Sequence, residues 1–171
     1  MAIKTLEEKF QHGLGDIYDA EHRFLDAQQT MLESATDATV QANLKKHIAE
    51  TEEQIVNLTK VHELLGLTAK RETCDAAAGL VSEGSKLLKE TKDVPALADL
   101  AINGSCTKVE HYEIASYRGL IAGAEAMGQT EVATLLSANL EQEENTADTL
   151  EDGMPALLEK AMQTASKSAV S

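Results

Sequence analysis

The chain has 171 residues, a length that suits one domain with a substantial core and leaves little room for a second. Only 3% of the residues are aromatic and two are prolines, so an all-helical protein is favoured over any sheet architecture. The formal charge of −14 disfavours binding to nucleic acid and to anionic membranes, because both require a basic surface.

Two long helices joined by a short turn are predicted first. Thr5 opens a capping-box pattern, and apolar residues then recur at three- and four-residue steps over about 4–35. Asp37 is a good N-cap for a second helix over about 37–65, which Gly66 would end. Because the connection is short, the two helices should be antiparallel.

A looser helical crossover follows over about 67–92, interrupted by glycines. Pro95 marks the start of a third long helix over about 94–127, because proline suits the first turn of a helix. A fourth helix is predicted over about 129–152.

Gly153 would end the fourth helix, and Pro155 would open a short C-terminal helix over about 155–165. This order of elements predicts an all-α fold, a ferritin-like four-helix bundle with a helical crossover between helices 2 and 3. We expect residues 1–171 to form a single domain of this kind.

The N-terminus lacks the features of a signal peptide, and no stretch approaches about 18 uninterrupted apolar residues. We therefore expect a cytoplasmic protein that does not enter the membrane. In that reducing compartment Cys74 and Cys106 are expected to be buried or inert thiols.

Acidic residues fall on the apolar stripes of the long helices. At 100° per residue, Glu110 and Glu113 share one face of the third helix with Ile114. Glu21 lies on the stripe of the first helix and Glu143 on that of the fourth. These side chains are predicted to point into the bundle.

The second helix is less clear, because Thr51 centres its apolar stripe. His47, Glu50 and Gln54 stand along one edge of that stripe, and Glu53 lies further round. Glu50 is the best carboxylate candidate on this helix and Glu53 a weaker one.

Burying an unpaired carboxylate costs several kcal/mol. Any one of these glutamates could be an edge residue or half of a salt bridge, but all four long helices supply an acid, and their stripes carry no lysine or arginine. The pattern therefore indicates bound cations. Oxygen ligands suit iron, manganese or magnesium, with zinc as an alternative, and two ions could share bridging carboxylates.

Four segments closely resemble the YciF/YciE-type bacterial stress proteins, and the resemblance runs over nearly the whole chain. It implies a ferritin-like bundle that forms a homodimer and contains a di-metal centre. It implies no specific reaction. The segments are KVEHYEIASYRGL (108–120), IYDAEHRFLDA (17–27), HIAETEEQI (47–55) and LLSANLEQEE (135–144).

The resemblance also maps the metal ligands onto this chain, although the better-known di-iron pattern includes a Glu-x-x-His motif on two helices. Here Glu53 follows Glu50 and Thr146 follows Glu143 at that spacing, so ferroxidase or peroxidase activity cannot simply be carried over. The implied ligands are Glu21, Glu50, Glu110, Glu113 and Glu143, with His47 and Gln54 in matching strings.

The sequence thus favours a stress-associated protein that binds two ions of iron or manganese and handles a small oxidant or excess metal. Whether it is an enzyme stays open; if so, it is a di-metal oxidoreductase. The alternative is a non-enzymatic structural or interaction protein, in which the inward acids fix bundle or dimer specificity.

Overall fold

Five helices account for the fold in the computed structural model, which describes residues 2–168. The connections after α1 and after α4 are three residues long, so each pair they join is antiparallel. The crossover helix α3 packs against α1 and α4. The predicted all-α fold class is confirmed. The helices are α1 (Leu6–Ser34), α2 (Ala38–Leu64), α3 (Asp75–Thr91), α4 (Pro95–Ala126) and α5 (Thr130–Ser168).

Local sequence signals define most helix ends. The Thr5 hydroxyl accepts from the amide of Glu8, whose carboxylate accepts from the amide of Thr5. Asp37 accepts from two backbone amides in the first turn of α2. Gly66 and Gly128, with φ of 67° and 71°, follow α2 and α4 in the left-handed conformation that ends many helices. The bounds of α1, α2 and α4 lie within two residues of those expected.

The crossover differs from its prediction, because residues 67–74 form no helix. Asp19 of α1 holds this segment: it accepts from Arg23 at 2.5 Å, from Arg71 at 2.7 Å and from the amide of Cys74 at 2.9 Å. Burial would raise the pKa of Asp19, but these donors lower it to about 2. The side chain of Asp19 is only 3% exposed, because the segment covers it.

The C-terminal part is one continuous helix, which corrects the predicted break at Gly153 and the separate helix over about 155–165. Pro155 lies inside α5, where it cannot donate to the carbonyl of Glu151. Glu151 is exposed, so water can reach that end of the turn. Leu157 is buried in the same apolar cluster as residues of α1, α2 and α4, and this packing continues the helix through the proline.

Two apolar clusters fill the bundle. On α2, α4 and α5, the residues His47, Glu110, Glu113 and Glu143 lie in sequence between the members of one cluster and those of the other. Polar side chains therefore occupy a layer between two dry regions. The first cluster includes Phe10, Leu14, Phe24, Tyr117 and Leu136, and the second includes Met31, Leu44, Ile102, Cys106 and Leu150.

Several helices exceed the roughly 20 residues needed to cross a bilayer. Across residues 2–168, however, none combines that length with enough apolar character to be a membrane span.

Candidate metal centre

Four buried side chains from three helices converge in the polar layer. His47 comes from α2, Glu110 and Glu113 from α4, and Glu143 from α5. Each offers one ligand atom, and these atoms all lie within 4.8 Å of one another. The spacing of three residues along α4 places Glu110 and Glu113 on the same inward face.

Glu21 adds a carboxylate from α1. Its side chain is fully buried, and the Tyr117 hydroxyl donates to Oε1. In addition to burial, the charge of Glu21 raises the pKa of Glu113. The charge of Glu143 in turn raises the pKa of Glu21. All four long helices therefore contribute to this layer.

Most of the carboxylate oxygens in this layer have no hydrogen-bond partner. Gln54 donates from its amide to Oε1 of Glu143, which satisfies one of them. Buried oxygens without a partner are costly, so a proton or a cation is needed at each. The oxygens without a hydrogen-bond partner are Glu21 Oε2, Gln54 Oε1, Glu143 Oε2 and both carboxylate oxygens of Glu110 and Glu113.

Burial raises the pKa of all four glutamates of the layer, and their mutual repulsion adds to the shift in Glu21, Glu110 and Glu113. Hydrogen bonds partly offset the effect in Glu143. Without a cation, the carboxyl groups are driven towards their protonated forms.

His47 supplies no positive charge to offset these acids. Its Nδ1 lies 3.2 Å from Oε1 of Glu110, and its Nε2 lies 3.9 Å from Oε2 of Glu143. Burial lowers the pKa of His47 to about 4, helped by the charge of Lys46, so the ring is neutral at pH 7. Neutral imidazole is the form that ligates metals.

Glu50 and Glu53 are not brought to this layer. Glu50 is 17% exposed at its side chain and pairs with Lys46 at 2.6 Å, although its charge still reaches Glu143. Glu53 lies on the surface and accepts from Gln142 at 3.2 Å. At 100° per residue, Glu53 is well over a quarter turn from the face of α2 that is buried, so its carboxylate points away from the bundle axis.

Apart from Gln54, the amide side chains around the acids were not among the predicted site residues. Gln28 lies 3.3 Å from the His47 ring and from the hydroxyl of Thr51. Asn57 and Asn139 are hydrogen-bonded to each other at 2.9 Å in the same layer. The available signal was their position on inward stripes, since Asn139 precedes Glu143 by one turn.

The donor set fits hard metal ions. It combines four carboxylates with one neutral imidazole, and among the side chains described, those of residues 2–164, no lysine or arginine forms an ion pair with Glu21, Glu110, Glu113 or Glu143. Oxygen-rich sites with one nitrogen ligand suit iron and manganese, and zinc is also compatible.

Known proteins are similar to this chain in both sequence and fold. The family described as "Domain of unknown function (DUF892)" matches residues 5–163. Protein YciF of Escherichia coli (strain K12) is 35% identical over 153 residues, which cover 89% of this chain and 92% of that protein.

Two solved structures are also similar. The stress protein YciF of E. coli superposes with a TM-score of 0.86 at 33% identity, covering 92% of this chain and 99% of that one. YcfI of Rhodopseudomonas palustris gives a TM-score of 0.82 at 37% identity, covering 87% and 94%.

Proposed function

Because this chain belongs to the DUF892 family and is similar to a stress protein along most of its length, we propose that it is a stress-associated protein that holds two metal ions inside its bundle. One observation carries the proposal: buried carboxylate oxygens from three helices, α1, α4 and α5, lie in one layer without a hydrogen-bond partner or a lysine or arginine beside them. Metal cations would neutralise this charge in the ionised carboxylates.

Glu110, Glu113, Glu143 and His47 would hold the ions, with Glu21 reaching them from α1. Iron or manganese is the best match to these donors, and when bound such ions supply redox chemistry towards a small oxidant, or are themselves the material that is handled. Glu50 stays a prediction, because Lys46 holds its carboxylate at the edge of the layer.

The remaining side chains of the layer prepare it for cations. His47 is held neutral and so has one unprotonated ring nitrogen. Gln54 restrains Glu143 through one oxygen and leaves the other free. The apolar clusters above and below keep water away, which strengthens electrostatic interactions inside the layer.

Metal analysis tests the proposal directly. Protein reconstituted separately with Fe(II), Mn(II) and Zn(II) should retain about two equivalents of its preferred metal, and Mn(II)-soaked crystals should show anomalous peaks beside Glu110 and Glu113. The Glu113→Gln variant should lose metal, whereas Glu125→Gln, an exposed position on the same helix, should not. Less than half an equivalent of each metal in the unaltered protein would refute the proposal.

The same acids support a second function, that of a structural or interaction protein without metal. Their raised pKa values allow the carboxyl groups to be held protonated in the bundle. In that case the Glu110→Ala change would raise the stability of the protein in metal-free buffer, and adding metal would change nothing. The two functions are therefore separated by one variant measured with and without metal.

A further inference from the structure

A chain of hydrogen bonds leads through the bundle to Glu21. Asn57 of α2 donates to Oδ1 of Asn139 of α5 at 2.9 Å, and Nδ2 of Asn139 donates to the hydroxyl of Tyr117 of α4 at 3.0 Å. The Tyr117 hydroxyl then donates to Oε1 of Glu21 of α1. Each of the four long helices thus contributes one member, and Asn139, Tyr117 and Glu21 are fully buried.

The direction of this chain is set by a backbone group. Nδ2 of Asn139 also lies 3.3 Å from the carbonyl oxygen of Gln54. A carbonyl oxygen can only accept, so the Asn139 atom that faces it must be the amide nitrogen. The opposite amide orientation would place two acceptors against each other, and it would also set the amide nitrogen of Asn57 against that of Asn139.

This orientation determines what the phenol does. Asn139 donates one hydrogen to Gln54 and the other to the Tyr117 oxygen, which therefore acts as an acceptor there. The phenol hydrogen is left for Glu21, the acceptor on its other side. Oε1 of Glu21 is thereby occupied, and Oε2 is the oxygen without a partner.

We propose that Asn139 is a positioning residue that fixes the Tyr117 hydroxyl as a hydrogen-bond donor to Glu21. Asn139 thereby keeps the phenol oxygen from binding an ion. Of the two carboxylate oxygens of Glu21, only Oε2 is left available to an ion. The role of Oε2 rests on the proposed function, whereas the hydrogen-bond directions do not. Mutation of a group that hydrogen-bonds to a metal ligand and orients it commonly lowers metal affinity by about 10-fold to 100-fold.

The hydrogen-bond directions are tested on the metal-free protein. A neutron structure should place deuterium between Tyr117 and Glu21, and the two amide deuterons of Asn139 towards Gln54 and Tyr117. Deuterium on the Tyr117 oxygen pointing towards Asn139 would overturn the proposal. This measurement uses the unaltered chain and so does not depend on the folding of a variant.

Asn139→Leu and Asn57→Leu form a matched pair, since both remove one buried amide from the same chain. The tyrosine Fermi doublet in the Raman spectrum, isolated by subtracting the spectrum of Tyr117→Phe, reports whether the phenol accepts a hydrogen bond. The intensity of the higher-frequency component, divided by that of the lower-frequency component, should fall in Asn139→Leu and stay unchanged in Asn57→Leu. An unchanged ratio in a folded Asn139→Leu protein would contradict the positioning role.

Metal binding gives the remaining readout. Mn(II) affinity should fall at least 10-fold in Asn139→Leu and less than 3-fold in Asn57→Leu, an order of magnitude set by ligand-orienting groups in other proteins. Protein loaded with Fe(III) should lack a phenolate charge-transfer band; a band that disappears in Tyr117→Phe would overturn the proposal. If the unaltered protein binds no metal, the proposed function fails, while the neutron and Raman results still decide the role of Asn139.

Discussion

The Nδ1 atom of His47 lies 3.2 Å from Oε1 of Glu110, in a part of the bundle that excludes solvent. Burial lowers the pKa of His47 to about 4 and raises that of Glu110, so each group favours its neutral form without metal. The pair is therefore no salt bridge at neutral pH. It is a neutral imidazole beside a carboxyl group that a bound cation would ionise.

The stability of the metal-free protein should decrease as pH rises from about 6.5 to 8. His47 is already neutral in the folded state, and in the unfolded chain, with a pKa of 6.5, it loses most of its charge by about pH 7.5, so its opposing effect fades across this range. The buried glutamates hold protons that the unfolded chain, with a pKa of 4.5, has already released. Each such proton contributes up to about 1.4 kcal/mol per pH unit. Urea denaturation in a chelator measures the slope.

The Glu113→Gln variant should have a shallower slope in the same experiment, since it removes one proton-binding group, and Glu125→Gln should leave the slope unchanged. The opposite effect of His47 increases as pH falls through 6.5, because the unfolded chain takes up a proton that the folded one excludes until about pH 4. Stability that increases between pH 6.5 and 8 would contradict this assignment of protons.

Metal should stabilise the fold through Glu110. At 100 times Kd, one bound ion raises the free energy of unfolding by about 2.7 kcal/mol. We expect a gain of at least this size with Mn(II) or Fe(II), and none in Glu110→Ala, because that change removes a ligand from the centre of the layer. Thermal or urea denaturation with and without metal gives the difference. Glu125→Ala, on the exposed face of α4, should retain the full gain.

Asp19→Ala should lower the free energy of unfolding by about 2 kcal/mol, since hydrogen bonds to a charged group contribute about 1.5–3 kcal/mol each and the exposed arginines can be solvated instead. The connection 67–74 should also become sensitive to proteases. Limited proteolysis and denaturation measure both effects. The control is Asp26→Ala, an exposed position on α1. Equal loss in the two variants would show that Asp19 has no special role.

Pro155→Ala should raise the free energy of unfolding by about 1–3 kcal/mol. Proline in a helix interior costs about 3 kcal/mol relative to alanine, and here the helix continues past it. Chemical denaturation measures the change. If the variant were less stable, the proline would have to be favourable at this site, and α5 would not be continuous in solution.

Much of the fold was predictable because its signals are local. The capping box at Thr5, the N-cap at Asp37 and the glycines after α2 and α4 each define a helix end through contacts within a few residues. The break expected near Pro155 was wrong for the complementary reason. Packing of Leu157 against other helices is a long-range contact, and it outweighs the local preference of proline.

The site was predictable only where helical periodicity decides orientation. Glu110 and Glu113 lie near the middle of the buried stripe of α4. A small error in their calculated angle around the helix axis therefore does not change the prediction that both point inward. Glu50 lies at a stripe edge, where a few degrees of helix rotation separate the interior from a salt bridge with Lys46. The burial of Asp19 depended on a connection without periodicity, which no pattern in α1 could reveal.

Each apolar cluster of the bundle contains one cysteine: Cys74 belongs to the first and Cys106 to the second. Both thiols are buried and free, and burial raises the pKa of Cys106 to about 12, so neither reacts readily while the helices stay packed. The two ends of the molecule therefore carry separate chemical reporters of opening. The rates at which a thiol reagent labels Cys74 and Cys106 would show which end of the bundle opens more often.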